Sequence, residues 1–423
     1  MEEQFLHYVW KFQKFRDLPL KTTDGQELTV FHPGTHNYDA GPDFSEAKIK
    51  IDSIEWAGQV EIHIKSSDWL KHRHQHDAKY DNVILHVVWQ HDKDIEVQGQ
   101  PIPTLEIAEI VDSSILENYK SLSGNLYEIA CSDQIIDIND LKIHSTLTRM
   151  VSERLEAKGR GVVEPLLTAT QNNWEQVAFI MLARSLGMKT NSESFEALAK
   201  GLPINILLKH QHTPKQIEAL IFGCGGFLDT VPVDDYHDQL KSEYDFLKHK
   251  YELATTLRRA NWKFSKLRPP NFPTVRLAQL SAIVAESRGI FSWMLESENV
   301  EEVKKKLGVK VSDYWLTHYD FGKKGTTTKS IGNTTINSII INGLVPVISK
   351  YGNNQGDETL LEKALNWLEQ LPSEDNKITR KWSKIMAPQK DAFGTQGQIH
   401  LFNEYCTKRR CLHCEIGSAI VGR

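Results

Sequence analysis

The sequence predicts an N-terminal domain that mixes α-helices with β-strands, followed by a largely α-helical region. Three observations lead to this prediction. An amphipathic pattern at the N-terminus is typical of a helix. Hydrophobic and polar residues then alternate with the period of two of half-buried strands. After about residue 125, apolar residues recur instead with helical periodicity.

The N-terminal elements follow one another in a definite order. Phe5, Val9 and Phe12 lie at helical spacing and predict a helix over residues 2–16. Alternation predicts strands over residues 28–31, 47–51, 60–65 and 102–107. A continuous apolar sequence predicts a further strand over residues 82–89. Ser67-Asp68 marks the start of a short helix over residues 69–79. The order is therefore helix, strand, strand, strand, helix, strand, with one further strand closing the domain.

Helices dominate the rest of the chain. Their predicted ranges are residues 141–155, 174–186, 192–202, 234–257, 277–285 and 358–371. Gly225-Gly226 and Pro232 predict a division of this helical region. The predicted domains are residues 1–125, 126–230 and 231–423. The loop Gly322–Ser330 lacks the Gly-Lys-Ser/Thr order of a P-loop.

Composition limits the classes of protein that fit. The 423 residues are 40% hydrophobic and 25% charged, which is typical of a soluble globular protein, and the net charge of −5 excludes a globally basic nucleic-acid coat. Neither a signal peptide nor a membrane-spanning run is apparent. Five cysteines do not indicate a disulfide framework, so we expect a cytoplasmic protein.

Eight of the 17 histidines fall between residues 32 and 91, among several acids. Within this stretch, Asp43 precedes one predicted strand, and the alternation places Glu61, His63 and Lys65 on one face of the next. Two carboxylates can bind Mg²⁺ or Mn²⁺, and a neighbouring cation can stabilise a charged transition state. The alternative interpretation is the solvated face of an amphipathic strand.

The order of elements adds a resemblance. Pro42-Asp43 opens the second predicted strand, and Glu61 is followed by cationic side chains on the third. This arrangement resembles the core of the PD-(D/E)XK nuclease superfamily over residues 1–92, about a fifth of the chain. The whole chain is also similar to an uncharacterised bacterial family that shares the Gly-Pro-Asp-Phe and Val-Glu-Ile-His stretches.

The nuclease resemblance implies a restriction-endonuclease-like fold and roles for particular residues. Asp43 and Glu61 match the acids that bind a divalent metal, and Glu2 or Glu3 matches an auxiliary acid. His63 stands where the superfamily has its lysine, and Lys65, two residues on, is the substitute cation. This departure leaves open an active nuclease or an inactive core that only binds nucleic acid.

A second group of histidines follows the third strand. On a helix, His72 and His76 would be four residues apart on one face, a spacing that suits a transition metal or contact with substrate phosphates. The surrounding sequence lacks the His-Glu-x-x-His pattern of zinc proteases. A hydrolase that uses this cluster is therefore a further alternative. The structural alternative is a polar helix face that borders the cleft.

Three cysteines near the C-terminus, Cys406, Cys411 and Cys414, have the short spacing of a zinc or iron–sulfur site. The candidates for a fourth ligand are His413, His400, Cys131 and Cys224. Some nucleases of the superfamily named above carry an iron–sulfur cluster held by one distant cysteine and three near the C-terminus, which favours Cys131. Ordinary buried or unpaired cysteines are the alternative.

A basic stretch in the helical region is a candidate surface for nucleic acid, and DNA is the expected partner. No acid occurs between residues 253 and 285, whereas basic and aromatic residues alternate there; the candidate nucleic-acid contacts are Arg258, Arg259, Lys263 and Trp262. The alternative is a solvated basic face above aromatic core residues. Taken together, the sequence predicts a cytoplasmic, metal-dependent nuclease.

Overall fold

The computed structural model describes residues 2–37, 39–254, 257–325 and 330–423. The chain divides into two compact units. The first, called the sheet unit, comprises Met1–Thr146, Lys384–Met386 and Leu401–Arg423. The second, called the helical unit, comprises Leu147–Ser383 and Ala387–His400. This division differs from the three predicted domains, because the C-terminal cysteine segment belongs to the sheet unit.

The sheet unit combines a seven-stranded sheet with a few helices. Its elements are α1 (Glu3–Lys11), β1 (Leu20–Lys21), β2 (Glu27–His32), β3 (Thr35–His36), β4 (Phe44–Ile51), β5 (Ile54–Lys65), α2 (Asp68–Lys71), β6 (Val83–Gln90), β7 (Glu96–Val97), β8 (Gln100–Pro101), β9 (Thr104–Glu106) and α3 (Ser113–Gly124). The sheet order is β1-β2-β4-β5-β6-β9, with β3 beside β4. Strands β2, β4 and β5 form an antiparallel meander, whereas β5, β6 and β9 are parallel. The predicted sheet-rich N-terminal region is thereby confirmed.

Helix α1 covers one face of this sheet. Phe5, Leu6 and Val9 are fully buried and share a hydrophobic core with Val60 and Ile62 of β5. Because side chains alternate along a strand, the core positions of Val60 and Ile62 turn Glu61 and His63 to the opposite face. The predicted alternation is therefore present, but Glu61 and His63 are buried as well.

A β-bulge interrupts the pairing of β4 with β5 beside the predicted site. Phe44 pairs with Val60 and Ala47 with Gly58, so β4 contains one extra residue, and Glu46 there has a φ of 58°. Bulges bend a strand locally and are frequent next to functional sites. Asp43 immediately precedes this bulged start of β4.

The connection from β5 to β6 departs from the predicted helix over residues 69–79. Helix α2 ends at Lys71, Arg73 adopts a left-handed φ of 63°, and two short 3₁₀ turns follow, His74–His76 and Ala78–Tyr80. The Asp77 side chain accepts the backbone N–H of Lys79, and such local capping competes with continuation of a helix. His72 and His76 therefore do not lie on one helical face.

The helical unit is built around one large hydrophobic core. The division between the two units falls within α4. The helices from this point on are α4 (Asp140–Lys158), α5 (Glu164–Ala169), α6 (Trp174–Leu186), α7 (Met188–Gly201), α8 (Ile204–Leu208), α9 (Pro214–Cys224), α10 (Asp235–Tyr251), α11 (Pro273–Glu286), α12 (Ile290–Glu296), α13 (Val300–Leu307), α14 (Asp313–Thr317), α15 (Asn333–Ile339), α16 (Val345–Gln355), α17 (Glu358–Gln370), α18 (Lys377–Trp382) and α19 (Ala392–His400). A short hairpin joins β10 (His318–Asp320) to β11 (Lys323–Lys324). The C-terminal helix α20 (Glu415–Val421) belongs to the sheet unit.

The predicted helical character of this region is confirmed, although no domain boundary falls at Gly225-Gly226. One buried cluster extends from Val151 to Phe393 and includes residues on both sides of that point. Thr255 and Thr256, at the end of the helix predicted over residues 234–257, lie outside the described residues, as do residues 326–329 of the loop Gly322–Ser330. Among the helices that are described, none is long and apolar enough to cross a membrane.

Candidate functional site

Asp43 and Glu61 meet where the start of β4 lies beside β5. The backbone N–H of Asp43 donates to Oε2 of Glu61 across 3.1 Å, and the backbone N–H of Ile62 donates to Oδ2 of Asp43 across 3.0 Å. Each carboxylate is thus fixed by the strand that carries the other. The structure therefore brings together the two acids that the sequence singled out.

The environment of these acids favours an additional positive charge. Glu61 is only 5% exposed, and burial, together with the negative charge of Asp43, raises its pKa to about 7. Burial and Asp43 also raise the pKa of Glu3 on α1. A buried carboxyl group whose pKa is raised by burial and by a neighbouring carboxylate is typical of a functional site, and a bound cation would offset the negative charges. Of the two auxiliary acids considered, Glu3 is the one that interacts with Asp43.

Two histidines that the sequence did not single out adjoin Asp43. Nε2 of His7, on α1, lies 3.4 Å from Oδ2 of Asp43, and Nδ1 of His7 lies 3.2 Å from Nε2 of His36. Burial and the neighbouring His7 lower the pKa of His36 to about 4. Glu3 and His7 are four residues apart and so share one face of α1. The four-residue spacing of Glu3 and His7 was the feature of the sequence that indicated their common face.

A cluster of three histidines lies on the other side of Glu61. His63 is 1% exposed, and its Nε2 lies 3.1 Å from Nδ1 of His72 and 3.5 Å from Oε1 of Glu61. Nε2 of His74 lies 3.2 Å from the same Glu61 oxygen. Ring nitrogens of the three histidines lie within 4.8 Å of one another. The cluster thus joins His72 to His74 and His63, and not to His76.

Buried aromatic rings surround this cluster. His86, opposite Glu61 on β6, places its Nε2 2.9 Å from Nδ1 of His63. Burial and the neighbouring His86 lower the pKa of His63 to about 2, and burial lowers that of His86 to about 3. The ring of His74 stacks on Tyr80 with centroids 3.8 Å apart, and Trp69 contacts His63 edge-on. The rings of His63 and His86 are therefore neutral at neutral pH and held in place.

Two other predicted site residues lie apart from this group. Lys65 is exposed at the end of β5, where its backbone N–H donates to Asp68. His76 is exposed in a 3₁₀ turn. The basic side chains that adjoin Glu61 are consequently His63 and His74, and Lys65 is not among them.

Four of the five cysteines, Cys131, Cys406, Cys411 and Cys414, belong to the sheet unit. Burial and the neighbouring thiols of Cys414 and Cys411 raise the pKa of Cys131 to about 12. Burial and the neighbouring thiols of Cys414, Cys131 and Cys411 also raise the pKa of Cys406. No disulfide joins any of the five cysteines, all of which lie in the described residues. Cys224, in contrast, lies in the helical unit and accepts a hydrogen bond from Tyr244. Of the two candidate cysteines, Cys131 is therefore the one that interacts with the C-terminal cysteines, and the candidate His413 lies between two of them in the sequence.

The cysteine segment adjoins the acids through a series of histidines. The rings of His413 and His36 have centroids 6.4 Å apart, and His36 contacts His7, which adjoins Asp43. Tyr8 on α1 donates a hydrogen bond to the carbonyl of Ser418 in α20. The C-terminal segment is thus attached to the helix that carries Glu3 and His7.

The basic stretch in the helical unit separates into exposed and internal residues. Arg258 and Lys263 are exposed. Arg259 forms a bidentate ion pair with Asp320, with N–O distances of 3.1 and 2.6 Å. Trp262 is 4% exposed and donates from Nε1 to the carbonyl of Gly225. Trp262 is therefore a core residue that is not available for base stacking in this conformation.

These features define a mixed α/β protein with a buried group of acids and histidines in a sheet-rich N-terminal unit and a largely helical second unit. Residues 3–377 match a family described as "Protein of unknown function (DUF2851)", and the chain belongs to that family. No curated protein and no solved structure matches the chain.

Proposed function

We propose that this protein is a metal-dependent nuclease whose divalent ion is held by Asp43 and Glu61. The observation that carries the proposal is the mutual fixation of these two carboxylates at the junction of β4 and β5. The antiparallel meander followed by a parallel strand supports it, since this is the order expected for a restriction-endonuclease-like core. Glu3 supplies the auxiliary acid from α1.

The donor atoms at this place fit a divalent cation. Carboxylate oxygens are the protein ligands that Mg²⁺ and Mn²⁺ take, together with water and phosphate oxygens. Such an ion, when bound, activates water and stabilises charge on a scissile phosphate. In the reaction, the oxygen of water bonds to phosphorus, one bridging P–O bond breaks, and a proton goes to the leaving oxygen.

The residues around the acids have separate roles in this proposal. Backbone N–H groups of Asp43 and Ile62 fix the orientations of the carboxylates. His72 is exposed at the edge of the histidine cluster and is our candidate for contact with substrate phosphates. Arg258 and Lys263, both exposed on the helical unit, are candidates for contact with the nucleic-acid backbone.

A cleavage assay tests this function. The purified chain is incubated with single- and double-stranded DNA and with RNA, in Mg²⁺ or Mn²⁺. We expect cleavage that Asp43→Asn and Glu61→Gln each reduce by about 100-fold or more, because each removes a ligand of the ion that stabilises the transition state. The amides retain oxygen acceptors for the backbone hydrogen bonds that fix these side chains.

Glu55→Gln is the matched control for Glu61→Gln, because Glu55 is an exposed acid on the same strand. We expect this variant to cleave like the wild type. Thermal unfolding of every variant checks that the fold is retained. Absence of cleavage with either ion, or cleavage that both active-site substitutions leave unchanged, would refute the nuclease proposal.

A second function is favoured by the position of His63. It stands where the nuclease superfamily has a lysine, and it is buried against His86 and His72. A core without this lysine could bind nucleic acid without cleaving it. Binding that weakens steeply with salt, without cleavage in any metal, would identify this second function.

We also propose that Cys131, Cys406, Cys411 and Cys414 hold zinc or an iron–sulfur cluster. Thiolates are soft ligands that suit both, and the electrostatic interactions of Cys131, Cys406 and Cys411 with neighbouring thiols support the assignment. A reducing compartment such as the cytoplasm, in which thiols persist, belongs to the same proposal. Visible absorbance and elemental analysis of anaerobically purified protein would distinguish the cluster from zinc, and the absence of both would refute the site.

A further inference from the structure

We infer that His63, His72 and His74 form a transition-metal site beside Glu61, with a different type of donor from the hard-cation site of Asp43 and Glu61. The first argument is the type of donor. Imidazole nitrogen suits zinc and other first-row transition metals, whereas Mg²⁺ prefers oxygen. Three imidazoles therefore call for a different ion from the one proposed between the two acids.

The second argument is distance. In tetrahedral zinc sites with bonds of about 2.0–2.1 Å, neighbouring ligand atoms are about 3.3–3.4 Å apart. Nε2 of His63 lies 3.1 Å from Nδ1 of His72 and 3.5 Å from Oε1 of Glu61, and Nε2 of His74 lies 3.2 Å from that oxygen. The 3.1 Å between His63 and His72 is close to that spacing, and the ring nitrogens of all three histidines lie within 4.8 Å of one another, so a small ion can reach each of them.

The third argument is an unsatisfied polar atom. Among the described residues, Nε2 of His74 is a buried side-chain nitrogen that makes no hydrogen bond of good geometry, and its neighbour is Oε1 of Glu61, 3.2 Å away. Buried polar atoms are nearly always satisfied in folded proteins. A metal bound by this nitrogen would satisfy it.

The fourth argument is the surrounding support. Metal-binding histidines commonly donate their other ring N–H to a neighbouring acceptor, which fixes the ring. Nδ1 of His63 lies 2.9 Å from Nε2 of His86, which provides such an acceptor. The left-handed backbone of Arg73 turns the chain between His72 and His74, so that both rings reach His63. Strained backbone of this kind is concentrated at functional sites.

This site differs from the pair that the sequence suggested. His72 and His76 were expected to share a helical face, but the helix ends at Lys71, and His74 takes the place of His76. The matched control for the site is therefore His76→Ala, an exposed histidine from the same segment. His72→Ala combined with His74→Ala removes two of the proposed ligands.

Zinc K-edge X-ray absorption and zinc stoichiometry test the inference on the full chain. The protein is stripped with a chelator, equilibrated with Zn²⁺ and dialysed. We expect a nitrogen and oxygen shell at about 2.0–2.1 Å with imidazole scattering, separate from any sulfur shell at about 2.3 Å from the cysteines. The double variant should lose one zinc per chain and that shell, while His76→Ala and Asp43→Asn retain both.

A wild-type spectrum with only a sulfur shell, or with no bound zinc, would overturn the site, and this result does not depend on whether the double variant folds. Equal zinc content and equal imidazole scattering in the wild type and a folded double variant would overturn it too. Because the readout is metal binding, it is independent of cleavage. Failure of the nuclease proposal would leave this inference intact, and the reverse is also true.

Discussion

The backbone N–H of Asp43 donates a hydrogen bond to Oε2 of Glu61, and so links the start of β4 to the middle of β5. Because the carboxylate of Glu61 accepts a hydrogen bond from the backbone of Asp43, the pairing of the two strands sets the position of this carboxylate. A divalent ion could then bind two carboxylates that are already oriented. This relationship leads to predictions for the residues around it.

Glu3→Gln tests the auxiliary acid on α1. Glu3 interacts with Asp43, whereas Glu2 acts on Tyr119. We expect Glu3→Gln to raise the Mn²⁺ concentration for half-maximal cleavage by about tenfold, a typical cost of removing a group that supports metal ligands. Glu2→Gln is the matched control, and an equal shift in both variants would contradict the role of Glu3.

His86→Gln tests the support of the histidine cluster. His86 contacts His63 but is not one of the proposed ligands. We expect zinc affinity to fall by about 10- to 100-fold while the number of imidazoles around the zinc stays the same. Competition with a chromophoric chelator measures the affinity, and X-ray absorption measures the ligands. Unchanged affinity in a folded variant would show that His86 does not orient His63.

Substitution of Arg258 and Lys263 tests the nucleic-acid surface. Each contact with a phosphate contributes about 0.9 to the slope of log affinity against log salt on duplex DNA. We therefore expect Arg258→Glu with Lys263→Glu to weaken binding and to reduce that slope by about 2. Lys305→Glu with Lys306→Glu, on exposed positions of α13, is the charge-matched control. An equal loss from both pairs would indicate only a general charge effect.

Glu218 in the helical unit gives a prediction about pH. It is buried, accepts hydrogen bonds from Tyr236 and Trp315, and burial raises its pKa above the ordinary 4.5. Its contribution to stability is thus fully present below pH 4.5 and is lost as the pH rises through the raised value. Between these values, the free energy of unfolding of the wild type should fall relative to Glu218→Gln by ~1.4 kcal/mol per pH unit.

Urea unfolding at a series of pH values measures this difference. Because glutamine keeps an oxygen acceptor for Tyr236 and Trp315, the comparison isolates the ionisation of Glu218. Parallel pH profiles for the two proteins would contradict the prediction.

Local sequence patterns predicted much of the fold, and they also identified the two acids as candidates. Pro42-Asp43 before a strand and the alternation around Glu61 singled out both side chains, because the period of a strand and the order of strands along the chain can be read locally. The structure places the two residues beside one another. The role of His74 was not predictable in this way. It depends on the left-handed φ of Arg73, and a left-handed φ is predictable from the sequence mainly where the residue is glycine.

Long-range packing set the remaining features. The partnership of Arg259 with Asp320 and the burial of Trp262 depend on residues far away in the sequence, so a basic, aromatic-rich stretch could not be divided in advance into surface and core. Cys131 was selected through a resemblance and not through spacing. Its proximity to Cys411 and Cys414 arises because the C-terminal segment joins the sheet unit.

The central claim is that one divalent ion binds between Asp43 and Glu61. Anomalous diffraction from crystals equilibrated with Mn²⁺ tests it most directly. The account predicts an anomalous peak about 2.2 Å from an oxygen of each carboxylate, which disappears in Asp43→Asn crystals. Active protein whose crystals show no peak between these residues, or a peak that Asp43→Asn leaves unchanged, would contradict it.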